Sequence, residues 1–286
     1  MTIGFIGGSG IYDALPLEDT RTVDVDTPYG KPSAPLTVGE FGDTGREVVF
    51  VPRHGPDHQR SPTTLPYRAN VFALKRMGVT HVLASNAVGS LREELAPQTL
   101  VIPDQIYDRT KHRDLTFFDE DVVVHQPFAD PYCAELNETL ADAAESATDA
   151  DVVRGGTYVC IEGPQYSTRA ESEFYRAQGW DVIGMTTIPE AKLAREAEMA
   201  YATVTGVTDY DVWKEDSEVT LDEVLENAAE NETAIKETVE AAIRAIPEGH
   251  ECDCHSSLAG TINTPDEAIP EGTKADLEPL IGEYVE

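Results

Sequence analysis

Short apolar runs that end in Gly, Asn or Thr alternate along this chain with amphipathic stretches, and no other feature of the sequence restricts its fold as much. Apolar runs of about four to eight residues have the length of buried strands, and strands joined through helices close into a largely parallel sheet. The runs lie at 3–6, 47–51, 81–85, 100–103, 156–162, 181–185 and 201–207. Helical spacing fits 66–76, 135–147, 169–178 and 189–199, with Gly179 as a stop signal and Pro189 in a first turn. The last helix is marked best. Thr220 and Glu223 spell a capping box, Val219 and Val224 a hydrophobic staple, and Leu221, Val224, Leu225, Ala228, Ile235, Val239, Ile243 and Ile246 recur on one face. These signals predict an α/β fold, with a central mixed, largely parallel twisted sheet flanked by helices. No break in composition divides residues 1–246, which are expected to form one domain. Residues 247–286, rich in Pro, Gly and acid, are expected to be an acidic C-terminal extension lying along the surface.

Charge narrows the choice of partners. Asp and Glu number 53 against 21 Lys and Arg, a net charge of −32, and only seven of those cations are lysine. Such a surface repels nucleic acid and anionic membranes. Its acids are spread along the chain, as a halophilic cytoplasm would favour, where salt screens self-repulsion. No stretch reaches the roughly 18 apolar residues of a membrane span, and the first Lys or Arg is Arg21, so no basic leader region is expected and the protein reads as cytoplasmic. The four cysteines include Cys252 and Cys254, spaced too closely for the usual two-cysteine zinc knuckle but flanked by His250 and His255. Reduced thiols are expected, with a metal site or a local disulfide as the other readings.

Several groups fall where strands end. Gly4, Gly7, Gly8 and Gly10 straddle the end of the first strand. A dinucleotide fingerprint needs a helix directly behind such glycines. Residues 11–16 start one poorly, leaving a bare turn, or a turn whose amides and Ser9 hydroxyl bind phosphate. Arg53 and His54 follow the second strand, at the edge where an α/β sheet presents ligands, and supply a bidentate fork and a further donor for an oxyanion. Asn86 and Ala87 stand after the third strand, and Met185 and Thr186 after a later one, so small donors converge on one expected anion pocket. Glu162, Pro164 and Tyr166 combine a carboxylate, a rigid turn and an aromatic ring. Asp209 and Asp211 share one face if the strand 201–207 continues. Solvated acids are the other reading, and no third ligand is spaced for a metal.

The segments GFIGGSGIYD, VDTPYGKPS, VPRHG, YRANVFALKRMGVTHVLASNAVGSLREE, IPDQIYDRT, IEGPQYSTRAES, MTTIPEAKLAREAEMAYA and TDYDVWKE follow one another through three quarters of the chain. In that order they resemble the purine nucleoside phosphorylase family, in its 5′-methylthioadenosine phosphorylase branch, with a haloarchaeal source suggested by the acidity. The resemblance implies a phosphorylase fold, assembled as a homotrimer or homohexamer, that splits a purine nucleoside with inorganic phosphate as co-substrate and needs no metal or organic cofactor. Transferred residue by residue, it implies a phosphate site of Ser9, Arg53, His54, Asn86 with the Ala87 amide, and Thr186. It places Met185 under the ribose, Tyr166 against the base, and Asp209 and Asp211 at the purine edge. Ser167 and Leu221 align with positions that shape selectivity, and His125 with a residue reaching the 5′ pocket of a neighbouring subunit. Asn86, and the stretch from Lys111 to Asp114, depart from the branch pattern.

These residue types suit the implied chemistry. Breaking the C1′–N9 bond builds positive charge on the sugar and negative charge on the purine, so an anion must be held below the sugar and a proton delivered to the base. A carboxylic acid, expected at Asp209, donates to N7 and accepts from the 6-amino group of adenine. A 6-oxopurine nucleoside or methylthioinosine is the alternative substrate, and Asn86 favours it mildly. At a net charge of −32, dialysis to about 0.1 M salt, where the Debye length is about 10 Å, is expected to loosen the oligomer before the fold melts. Mass and activity unchanged by that dialysis would remove the halophile reading.

Overall fold

The computed structural model describes residues 1–8, 11, 15–214, 221–250 and 252–286. Among them eleven strands form one sheet. They are β1 (Thr2–Gly7), β2 (Leu17–Val23), β3 (Leu36–Phe41), β4 (Arg46–Pro52), β5 (Val79–Ser90) and β6 (Leu100–Ile102), then β7 (Gln105–Arg109), β8 (Val152–Arg154), β9 (Thr157–Ile161), β10 (Val182–Gly184) and β11 (Ala200–Asp209). The main path runs β2-β3-β4-β1-β5-β10-β9-β7, and a second arm leaves β5 through β11 to β6 and β8. The sheet is mixed and largely parallel, as expected: β1 pairs in parallel with β4 and β5, and β11 with β5, while β10 meets β5 antiparallel.

All seven predicted strands are present. Those at the centre are buried on both faces, so they read as continuous apolar runs. The four that the pattern omits are β2, β3, β7 and β8. β2 and β7 end the main path and β8 ends the second arm, and edge strands with little buried surface carry no apolar run; the LEDTRTV of β2 is mostly exposed.

Alternation along the strands builds the two largest of the buried hydrophobic clusters. Val49 and Val51 of β4 face a layer that includes Val71, Phe72 and Leu74 of α1 (Tyr67–Arg76), whereas Val48 and Phe50 face the other. That second layer is covered by α2 (Ala134–Ala147) and, after α3 (Arg169–Ala177) and α4 (Thr187–Glu196), by α5 (Leu221–Ala245). Ile235, Val239 and Ile243 of α5 pack there at helical spacing. Each such fully buried side chain contributes about 1.5–3 kcal/mol. Gly179 follows α3 at φ +84°, the left-handed stop its type suits. A capping box missed in the sequence joins Thr168 and Glu171 at the start of α3; the box and staple expected at Thr220 and Val219 lie outside the described residues.

Beyond residue 246 the chain does more than lie along the surface. Leu258, Ile269, Leu277, Leu280 and Ile281 are buried in the same core as α1, and Val124 bridges to Ile262. No helix among the described residues is long and apolar enough to cross a membrane.

Candidate active site

The site originates in a change of partner along β5. β1 accompanies β5 only as far as the pair Ile6 and Ala84, and β10 joins at Gly89. No described strand covers that side of residues 85–88, and Asn86, Ala87 and Val88 line a cavity of about 640 Å³. These residues therefore lie within a strand that runs on to Ser90, not after one that ends at 85. Arg53 and His54 enter from the end of β4, Met185 and Thr186 from the end of β10, and Asp209 and Asp211 from the end of β11. Groups at the carboxyl ends of β4, β10 and β11 thus converge on the middle of β5, beside the place where β1 leaves it, a ligand crevice of the kind found at the strand ends of an open α/β sheet.

At the inner end Arg53 is 1% exposed, and its fork is already engaged. Nε and Nη2 donate to the two carboxylate oxygens of Glu190, the latter at 2.9 Å, and Nη1 donates to the Ser85 carbonyl at 2.7 Å. A guanidinium has five N–H donors, so two remain for an anion. Gly8 permits this approach, since a Cβ there would stand 2.9 Å from Nη1 and 2.3 Å from the Ser85 oxygen. Asn86 donates to Thr186 Oγ1 at 2.6 Å and accepts from Thr203 at 2.5 Å, which leaves the Thr186 hydroxyl proton to turn elsewhere.

His54 departs from the expected donor role. Its Nδ1 lies 2.8 Å from the Arg60 carbonyl, which can only accept, so Nδ1 carries the proton and Nε2 presents a lone pair. Burial, with the Arg53 charge adding to it, pushes the imidazole down to about 3, and it is neutral at pH 7. The ring stacks on His58 at 4.2 Å between centroids.

At the outer end β11 stops at Asp209, and Asp211 sits in a turn at φ +51°. Strand alternation does not bring the two acids together; the turn does, through a hydrogen bond from the Asp211 amide to Asp209 Oδ1 at 2.7 Å. Thr208 donates to the other Asp209 oxygen at 2.7 Å. Burial, opposed by Ser172 and reinforced by Asp209, raises the Asp211 carboxyl to about 6. Asn227 and Asn231 of α5 donate to the carbonyls of Thr208 and Val207, fixing the helix over this end.

Met185 is held from two sides. Arg113, whose side chain is 1% exposed, donates to its carbonyl at 2.6 Å, and Gly163 leaves the space a Cβ would take at 2.5 Å from the Met185 sulfur. The Lys111 to Asp114 stretch that departs from the expected pattern is thus a brace. Glu162 is corrected to the same role: its carboxylate accepts from the Lys111 and His112 amides and from Arg113, outside the cavity.

The phosphorylase superfamily model matches residues 2–244. The chain belongs to that superfamily. Within this phosphorylase superfamily it is 48% identical over 285 residues to the S-methyl-5′-thioadenosine phosphorylase of Geobacter sulfurreducens, covering 99% of each chain. A crystal structure of methylthioadenosine phosphorylase from an antarctic soil metagenomic library superposes with TM-score 0.91 at 44% identity, over 97% of this chain and 98% of that one. The methylthioadenosine phosphorylase of Schistosoma mansoni in complex with adenine gives TM-score 0.84 at 36% identity, over 92% and 99%. The expected family, branch and fold are those observed.

In this phosphorylase the cavity gathers Arg53, His54, Asn86, Ala87, Thr186, Tyr166, Met185, Asp209, Asp211 and Ser167 from the sequence reading. Ser9 lies outside the described residues, and Leu221 is known only as the first residue of α5. His125 is elsewhere, on a second cavity of about 510 Å³ with Lys192 and Glu196. Sequence reasoning missed the segment from His58 to Pro62, which carries no periodic signal, and the cavity-lining Val224, Leu225 and Ala228, which it counted as packing positions. Leu225 is 52% exposed and Tyr166 47%, an apolar rim.

A carboxyl raised from 3.8 to about 6 in the folded chain contributes stability that is full below 3.8 and lost as pH rises through 6. Asp211→Asn is therefore expected to melt higher than the parent at about pH 8, by up to about 3 kcal/mol of stability, and to lose that advantage near pH 4. Thermal scans at the two pH values decide, and an equal gain at both would show that the charge of Asp211 is not what the site strains to hold.

Proposed function

We propose that this phosphorylase cleaves S-methyl-5′-thioadenosine with inorganic phosphate, giving adenine and 5-methylthioribose 1-phosphate. The observation that carries this reading is a single cavity with hydrogen-bond donors at one end and two buried carboxyl groups at the other. Phosphate sits at the donor end, held by the two uncommitted N–H groups of Arg53, by Asn86 and Thr186, by the Ala87 amide and by Ser9. Neutral His54 accepts the proton that phosphate retains. Phosphate oxygen attacks C1′, the C1′–N9 bond breaks with its electron pair passing to the purine, and Asp209 as the acid delivers a proton to N7. Asp211 supports Asp209 at the purine edge, where the acid O–H donates to N7 and its carbonyl accepts from the 6-amino group of adenine.

Met185 lies under the ribose and Tyr166 against the base. Ser167 bears on base selectivity, and Leu221, with the rim of Val224 and Leu225, on the 5′ substituent. A homotrimer or homohexamer brings His125 of one subunit toward the 5′ group in the next. The reaction uses no metal or organic cofactor, and the acidic surface suits a cytoplasm of high salt.

Removing Arg53 is a poor test, because Glu190 would be left buried and unpaired at a cost of about 3–5 kcal/mol. Two other measurements decide. Base release from methylthioadenosine, adenosine, inosine and methylthioinosine in high salt is expected to require phosphate or arsenate and to be fastest for methylthioadenosine. Release that proceeds equally without either anion would overturn the phosphorylase scheme, and a preference for inosine would move the substrate to the 6-oxopurines. Asp209→Asn is expected to lower adenine release by roughly 10²–10⁴-fold, the range of general acid catalysis. It should lose far less on inosine-type substrates, whose 6-oxo group the amide can donate to. Equal losses on both base classes would exclude Asp209 as the reader of the 6-position.

A further inference from the structure

Away from the cavity, three of the four cysteines meet where the C-terminal segment reaches the start of α2. Cys133 directly precedes α2, and its amide donates to the Tyr201 carbonyl at 2.9 Å. Cys252 and Cys254 come from the other end of the chain, at the short turn Asp253–Ser256. The sulfurs of Cys133 and Cys252 are 3.7 Å apart, and all three lie within 4.8 Å of one another. A disulfide would need about 2.05 Å. Two thiolates on one tetrahedral zinc, each at about 2.3 Å, stand roughly 3.8 Å apart, which is the spacing observed.

The surroundings also fit a site for a soft cation. Cys133 and Cys254 are buried and Cys252 is half-buried, so an ion can enter from the Cys252 side. Glu135 Oε2 lies 3.4 Å from the Cys133 sulfur but does not join the cluster of three thiols, so the fourth position is left to water from the half-buried side. His250 and His255, which flank the pair in sequence, are engaged with His81: Nδ1 of His250 is 2.9 Å from its Nε2, and His255 packs edge-on at 5.0 Å between centroids. The two-cysteine spacing is too short for a zinc knuckle alone. Cys133, 119 residues from Cys252, supplies the third thiolate that sequence spacing could not reveal.

We propose that Cys133, Cys252 and Cys254 together bind one zinc ion, which clamps the C-terminal segment to the start of α2. The ion is structural and takes no part in the reaction at the cavity. Cys160 stays outside the site, buried against the Ile188 carbonyl.

The test uses the full chain, reduced and in high salt, loaded with zinc chloride and then freed of excess metal. One zinc per chain is expected by metal mass spectrometry. Cobalt in its place should give the near-ultraviolet absorption of thiolate-to-cobalt charge transfer, and a chelator should lower the melting temperature. Cys133→Ser and the double variant Cys252→Ser, Cys254→Ser should lose the metal, while Cys160→Ser should keep it. Should the variants fail to fold, the stoichiometry and cobalt spectrum of the parent chain decide alone. Binding of less than about a tenth of an equivalent, a cobalt spectrum without the thiolate band, or a disulfide among the three in the reduced protein would overturn the proposal.

Discussion

A guanidinium with no exposed surface can stay charged only if another charge answers it, and Arg53 is answered by Glu190, itself 2% exposed. The pair fastens the end of β4 to α4. Through Nη1 it also holds the Ser85 carbonyl, the first residue of β5 left without β1 beside it. Gly8 must be glycine for the guanidinium to approach, and its amide donates in turn to the Ser85 hydroxyl at 3.0 Å. One ion pair therefore locks the ends of β1 and β4, the middle of β5 and one helix at the inner wall of the cavity. The wall is rigid before any ligand arrives, which is what an anion site needs if binding is not to be spent on ordering side chains.

The sequence made this wall only partly legible. The central strands could be read because burial on both faces forces continuous apolar residues, and the places where those runs end located Arg53, His54, Thr186 and Asp209. Glu190 could not be read, since no local pattern links an acid to an arginine 137 residues away. The same holds for Arg113 and Glu162, whose charges serve the backbone of a neighbouring loop. The length of β5 was underestimated because Asn86, Ala87 and Gly89 are poor strand formers; parallel pairing with β11 keeps them extended regardless. Roles, as distinct from places, came from the ordered resemblance of whole segments, since paired acids in so acidic a chain would otherwise pass as solvated surface.

The two acids of the outer end show how position divides chemically identical groups. Both Asp209 oxygens accept, one from the Asp211 amide and one from the Thr208 hydroxyl, whereas Asp211 is governed by burial, which raises its carboxyl. The turn that sets this difference places a non-glycine residue at positive φ, a conformation that costs of order 1–3 kcal/mol and persists only where surrounding contacts fix it. Here α5 supplies them through Asn227 and Asn231. The helix is thus both a core element, through Ile235 and Val239, and the support of a strained acid pair.

A net charge of −32 sits awkwardly with a site that must attract phosphate. The two effects act over different distances. Charges spread over the surface are screened beyond about 10 Å at 0.1 M salt and within shorter distances as salt rises, whereas the inner donors act at hydrogen-bond contact on a buried wall of the cavity. Surface acidity therefore governs how often the anion arrives, and the local donors govern how long it stays. A neutral His54 belongs to the same solution. A second buried cation beside Arg53 would have needed a second buried acid, and that acid would have cancelled the field the site offers to phosphate.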